Sequence, residues 1–286
     1  MLRQIVCFGD TTLIPGDMPE AKRWPALLQG LVADSKVSSD LVAGQSVVSA
    51  LEKREVWEAL DRVRREAHDY ELFIADVIVL LGTEYAKGGC WPTEGEWRVA
   101  SYISKLVNIV HDQQTVVWKP PRLTLVSPPP IGSKLAPALD RPDMLKGANA
   151  RLGQFAAIDA EQALLGEARF VNLFAAFKDN IDTLVGPDGV ALNDDGQEKV
   201  AELIAAALQT KKEPPAPPTD VKIDGQKISW TASPSKDVIG YQIKDAEDEN
   251  VLTVSIDTHA ELPEGHDAAL VRARDDAGNV SDPAKP

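Results

Sequence analysis

Residues Ala75–Leu81 read Ala-Asp-Val-Ile-Val-Leu-Leu, an apolar run broken by a single carboxylate. A strand of that composition belongs at the centre of a parallel sheet, where both faces are covered. The flanking sequence supplies the rest of such a sheet. Gln4–Phe8 reads as a short apolar strand. Trp24–Val32 reads as a helix with Pro25 in its first turn and Trp24, Leu27, Leu28 and Leu31 on one face. Val37–Ala43 is a second strand, and Val47–His68 a helix with Val56, Leu60 and Val63 at i, i+4, i+7 spacing. Thr93 with Glu96 forms a capping-box pattern that opens a helix through His111. Thr115–Trp118 and Arg122–Val126 are further strand candidates, the second being the sheet strand. Asp143–Leu165 is helical, Phe170–Leu173 is a short strand, and Asn193 or Asp194 caps a last helix carrying Val200, Leu203, Ile204 and Leu208. Strand and helix alternating in this way predict an α/β domain with a parallel sheet and helices on both faces.

The alternation stops at Lys211-Lys212-Glu213-Pro214-Pro215-Ala216-Pro217-Pro218, where repeated proline forbids helix and favours extended chain. Residues 1–210 are therefore read as one domain, 211–218 as a linker and 219–286 as a second domain. The second domain has a different grammar. Lys227–Thr231, Ile239–Lys244, Val251–Ile256 and Ala268–Arg274 are short strands at close spacing, and Asp276–Asn279 is a turn. That pattern predicts a small all-β sandwich.

Composition excludes several classes. A formal net charge of -14 repels phosphate backbones, so nucleic acid is not an expected partner. No stretch approaches the roughly 20 apolar residues of a membrane span. Met1–Val6 passes straight into strand without the basic and apolar regions of a signal peptide, so synthesis in a cytoplasm is expected. Two cysteines, Cys7 and Cys90, are too few for a disulfide framework, although a bridge between them stays open. The four histidines are scattered, so no structural zinc site and no cofactor is expected.

Sites in open parallel sheets form at the C-terminal ends of the strands. Three loops qualify: Gly9-Asp10-Thr11-Thr12, Gly82-Thr83-Glu84, and Asp188-Gly189-Val190-Ala191-Leu192-Asn193. Their order and spacing resemble the SGNH/GDSL hydrolase family over roughly residues 1–210. Ile5–Thr11 resembles the strand ending in Gly-Asp-Ser. Ala43-Gly44-Gln45-Ser46-Val47 resembles the block whose glycine amide serves the oxyanion hole. Val77–Glu84 resembles the block ending in Gly-x-Asn-Asp, Ser127–Pro130 the end of the fourth strand, and Asp188–Leu192 the closing Asp-x-x-His. The resemblance implies a flavodoxin-like three-layer fold.

It also implies a damaged active site. Thr11 stands at the nucleophile position, Val47 at the oxyanion glycine, Glu84 at the oxyanion asparagine and Ala191 at the histidine, while Asp188 alone is retained. Alanine cannot take a proton from a hydroxyl, and an ionised glutamate accepts hydrogen bonds where a donor is needed. The expectation is a non-catalytic scaffold in which Asp10 and Asp188 hold their own turns. Asp10, Thr11, Glu84, Trp91 and Asp188 would line whatever cleft remains. The rival readings are a divergent esterase or carbohydrate deacetylase with a rewired site, with Glu84 as base for Thr11; a hard-cation site on Asp10, Glu84 and Asp188; and a glycan-binding adhesin using Trp91 and Trp97. Against the last, Trp97 is expected in the core and Trp91 under its loop.

The second domain resembles fibronectin type III over Ile228–Ser233, Val238–Ile243 and Val271–Ser281, with Trp230 as its core tryptophan. The combination resembles proteins of tailed bacteriophage particles. It implies a virion component, a decoration, collar or tail-associated protein, with other subunits and glycans as partners and no contact with membrane.

Overall fold

The computed structural model describes residues 3–33, 35–42, 46–52, 58, 61, 73–91, 95–111, 121–134, 145–209, 213–247, 250–266 and 268–286. They form two compact units, Met1–Asp159 with Val171–Gln209, and Ala160–Phe170 with Thr210–Pro286.

The first unit is built on a five-stranded sheet of β1 (Arg3–Asp10), β2 (Ser35–Val42), β3 (Phe73–Leu80), β4 (Arg122–Ser127) and β5 (Arg169–Asn172). The order is β2-β1-β3-β4-β5, and the pairings of β1 with β2, β1 with β3 and β3 with β4 are parallel. This is the mixed α/β architecture expected from the alternation. β3 is the central strand, with Val77, Ile78, Val79 and Leu80 all buried. Its one carboxylate, Asp76, is fully buried at the N-terminal end and held by Arg3 at 2.7 Å and Arg122 at 3.0 Å. Flanking strands thus supply the compensation a buried charge needs.

One face of the sheet is covered by α1 (Trp24–Leu31) and the last helix, α7 (Asp194–Gln209). Ile5, Cys7, Ile78 and Leu80 from the strands cluster there with Trp24, Leu28, Val200, Ile204 and Leu208. Leu31, expected on the same helical face, is 42% exposed because it lies in the final residue of the helix. Asn193 caps α7, accepting the Gly196 N–H at 3.0 Å. Alternate residues Val6, Phe8, Val77 and Val79 are buried on the other face. The remaining helices are α2 (Val47–Glu52), α3 (Glu96–His111), α4 (Ala148–Leu165), α5 (Leu173–Phe177) and α6 (Ile181–Leu184), with α4 from Ala160 onward counted in the second unit. The helix expected over residues 53–68, the Thr93 cap and the strand at Thr115–Trp118 fall outside the described residues, single positions aside.

The second unit holds two three-stranded antiparallel sheets. One is β10 (His259–Glu261), β7 (Lys227–Thr231) and β6 (Thr219–Asp224). The other is β11 (Ala269–Asp275), β8 (Val238–Asp245) and β9 (Val251–Ser255). Val221, Ile228 and Trp230 from the first share a core with Tyr241, Ile243, Val271 and Ala273 from the second. The Pro-rich segment is clipped to this unit at Ala216, whose N–H donates to Ser235 and whose carbonyl accepts from Ser233. No helix among the described residues is long and apolar enough to cross a membrane. Both cysteines are free, Cys7 buried and Cys90 exposed, so the possible bridge does not form.

Candidate active site

In a sheet of order 2-1-3-4-5 the chain leaves β1 and β3 in opposite directions, and a crevice opens beyond their C-terminal ends. Two glycines shape that crevice. A Cβ on Gly9 would stand 2.3 Å from the Leu80 carbonyl oxygen, so only glycine lets the ends of β1 and β3 close up. Gly82 turns the chain after β3 at φ +102°, and a Cβ there would meet the Phe155 ring at 2.3 Å. The loop that follows is fixed from below by Arg151, which donates to the Tyr85 carbonyl at 3.0 Å and to that of Ala86.

These constraints bring Asp10 and Glu84 together. Asp10 is buried and accepts the Thr12 N–H at 2.9 Å. Glu84 receives hydrogen bonds from the Ser46 hydroxyl and the Val47 N–H. Its Oε1 is buried and has no hydrogen-bond partner among the described residues. Loss of water, then the neighbouring Asp10 charge, pushes the Glu84 carboxyl up to about 7; the Ser46 and Val47 bonds and Lys87 pull the other way. The expectation of a permanently ionised Glu84 is therefore corrected. Near neutral pH both forms are therefore accessible, a carboxylic acid that can donate and a carboxylate basic enough to accept a proton.

Val47 also needs a new reading. The oxyanion function at that position belongs to a backbone N–H, which valine carries as glycine does. Here that N–H donates to Glu84. Thr11 opens a short turn after β1 and accepts the Ile14 N–H through its carbonyl. It stands at the edge of a cavity of about 370 Å³ between α1 and β2. Glu20, Arg23, Ser39 and Asp40 supply polar groups to that cavity, and Val37 lies on its apolar side.

The third loop comes close to Thr11 and carries no base. Leu192 N–H donates to the Leu13 carbonyl at 3.0 Å, which sets Ala191 beside the first loop. Asp188 accepts the Val190 and Ala191 N–H groups, both at 2.9 Å, so it holds its own turn as expected. It does not join Asp10 and Glu84, and among the described residues no three His, Cys, Asp or Glu side chains gather as a metal would require.

Trp91 is half-buried and meets Tyr85 edge-on at 5.4 Å. Trp97 is 62% exposed, against the expectation of a core position. The buried stripe of α3 is Val99, Ile103, Leu106, Val107 and Val110, and Trp97 points about 200° away from Val99 at 100° per residue. The residue that sequence reasoning missed is Ser46. It was read only as part of a block, and its link to Glu84 spans 38 positions that no local pattern connects.

No family model matches the sequence, and no curated protein matches it. Solved structures do. The chain resembles an aryl esterase from M. smegmatis at 19% identity, covering 72% of this chain and 98% of that one with a TM-score of 0.54. It resembles a carbohydrate acetylesterase from Sinorhizobium meliloti at 17% identity, with the same coverage and TM-score. It also resembles a member of the lipolytic G-D-S-L family from Veillonella parvula at 15% identity, covering 73% and 100% with a TM-score of 0.52. The expectation of a non-catalytic virion component is corrected by these neighbours, which are esterases and a lipolytic-family member. At such identities the likeness is one of architecture, and the first unit has the α/β fold found in SGNH/GDSL hydrolases.

Proposed function

We propose that the first unit is an ester hydrolase whose proton transfers are run by Glu84 in place of a histidine. The observation that carries this reading is the Glu84 carboxyl, held up to about 7 beside Asp10 at the ends of β1 and β3. A group with that value can take a proton from a hydroxyl and return it to a leaving alcohol at neutral pH. Burial first, and the neighbouring Asp10 charge second, keep Glu84 in this range.

The cavity beside Thr11 is the proposed seat of the substrate's alcohol portion. Its charged and hydroxyl-bearing rim suits a polyhydroxylated ring better than a flat aromatic one, which favours acylated sugars over aryl esters. The carbohydrate acetylesterase among the structural neighbours supports the same choice. The second unit we read as a fibronectin type III-like module over residues 219–286, joined through 211–218 and carrying no catalytic group. Trp230 in its core, edge-on to Tyr241 at 5.1 Å, supports this.

The test is acetate release from a peracetylated pentose and p-nitrophenol release from its acetate ester, by the wild type and by Glu84→Gln. The wild type is expected to turn over both, the sugar more efficiently. Glu84→Gln should lose on the order of a hundredfold or more, the usual contribution of a general acid–base group. Equal rates in the two proteins would remove Glu84 from the chemistry.

A further inference from the structure

We infer that the second unit is a positioning element for the loop that carries Glu84: Gln242 holds the C-terminal end of α4, and earlier turns of the same helix fix that loop. The inference takes Glu84 as the working group from the hydrolase reading above. In a sandwich, strand residues that face away from the core normally meet water. Tyr241, Ile243, Val271 and Ala273 point into the core of the second unit, and strand pairing sets Gly240 opposite Arg274 and Gln242 opposite Arg272 on the outer face. Gly240, Gln242 and Arg274 are nonetheless buried. What covers them is Ala160–Phe170, the segment that this unit takes in from the end of α4 and the start of β5.

The last carbonyls of a helix have no partner within it. At the end of α4, those of Gln162 and Ala163 accept the Gly166 and Ala168 N–H groups, at 2.9 Å and 3.0 Å. That of Leu164 accepts from Gln242 Nε2 at 2.7 Å. Gly240 leaves room for the Leu164 side chain, since a Cβ there would stand 2.6 Å from its Cδ1. Arg274 donates to the Ala168 carbonyl at 3.4 Å, and the Phe170 N–H to that of Asp276 at 3.1 Å. Earlier in the same helix, Arg151 donates to the Tyr85 and Ala86 carbonyls. The Phe155 ring lies against Gly82 and 5.1 Å from the Tyr85 ring. Glu84 stands between these tied residues. α4 is a single helix of 18 residues, so about 20 Å of stiff backbone links Arg151 to Leu164. Releasing the Leu164 end lets the helix shift, and Arg151 and Phe155 carry that shift to Glu84. Gln242 touches no reacting atom and acts only through α4.

The test compares Gln242→Met, which keeps the length of the side chain and removes its N–H, with Trp230→Phe, which loosens the sandwich core and leaves the hold on α4 in place. In the full chain, amide hydrogen exchange read by mass spectrometry follows residues 82–87 and α4, and p-nitrophenyl acetate turnover follows the site. In Gln242→Met, exchange at 82–87 is expected to quicken and kcat to fall roughly tenfold with KM little changed, because a displaced base costs rate more than binding. Trp230→Phe should alter neither. Wild-type exchange at 82–87 or an undiminished kcat in Gln242→Met would overturn the inference. Equal effects of the two variants would overturn it as well, since the loss would then be one of general stability. A wild type that turns over no ester would overturn the hydrolase reading alone, because exchange at 82–87 still decides whether Gln242 holds the loop.

Discussion

Replacing Glu84 with glutamine should stabilise the first unit at alkaline pH and leave it nearly unchanged at acid pH. A carboxyl whose value rises from the ordinary 4.5 to about 7 on folding binds more protons in the folded than in the unfolded chain between those values. Stability therefore falls as pH climbs through that window, and the loss is complete once Glu84 has ionised. Each pH unit between the two values is worth about 1.4 kcal/mol, so the full penalty at pH 8 is about 3 kcal/mol. Glutamine cannot ionise. Its amide oxygen can accept from Ser46 and Val47 as the carboxylate does, and its amide group does not repel Asp10. Urea denaturation at pH 5 and pH 8 reads the difference between variant and wild type. The buried Asp159, whose carboxyl is also pushed upward by burial, is common to both proteins and cancels. With a denaturant slope of about 2–3 kcal/mol per molar urea, the variant's midpoint should exceed the wild type's by about 1 M at pH 8. At pH 5, half a unit above the unfolded value, the gap should shrink to about 0.3 M. A gap of equal size at both pH values would refute the reasoning, because it would show that the proton on Glu84 plays no part.

Two further perturbations test how the site is held. Gly82→Ala has to place a Cβ against the Phe155 ring at φ +102°, so it should cost at least about 2 kcal/mol and lower Tm by roughly 5 °C, with ester turnover falling as the Glu84 loop moves. An unchanged Tm would show that the loop has room to spare. Asp76→Ala leaves Arg3 and Arg122 without their shared carboxylate and should cost about 2–3 kcal/mol by urea denaturation. That is below the usual cost of breaking a buried pair, since both guanidiniums still reach water. A loss within 0.5 kcal/mol of zero would show that the pair contributes little beyond its own desolvation (about the size of an ordinary surface change).

How much of this was legible in the sequence depends on how local each cause is. β3 was legible because burial on both faces writes itself as a nearly continuous apolar run, with Asp76 its one interruption. The α7 cap was legible because Asn193 bonds an amide three residues away. β6 was missed because only Val221 of its six residues is buried, too little for a period of two to stand out. Trp97 was misplaced because its large apolar ring outweighed its position on the helix, which lies off the buried stripe. The loops carrying Asp10, Glu84 and Asp188 were legible as the turns that follow β1 and β3 and precede α7. The charge state of Glu84 was not, since it depends on desolvation and on a carboxylate from another strand. The Ser46 contact was invisible for the same reason.

The most direct test of the central claim is the pH dependence of kcat/KM for an acetylated sugar between pH 5 and pH 9, in the wild type and in Glu84→Gln. In the proposed mechanism Glu84 acts as a base, so the wild-type value should rise with pH, bend near 7 as the carboxyl ionises and then level off. The residual rate of the glutamine variant should lack that bend. A wild-type profile without an inflection near 7, or the same profile in both proteins, would contradict the assignment of Glu84 as the group that replaces histidine.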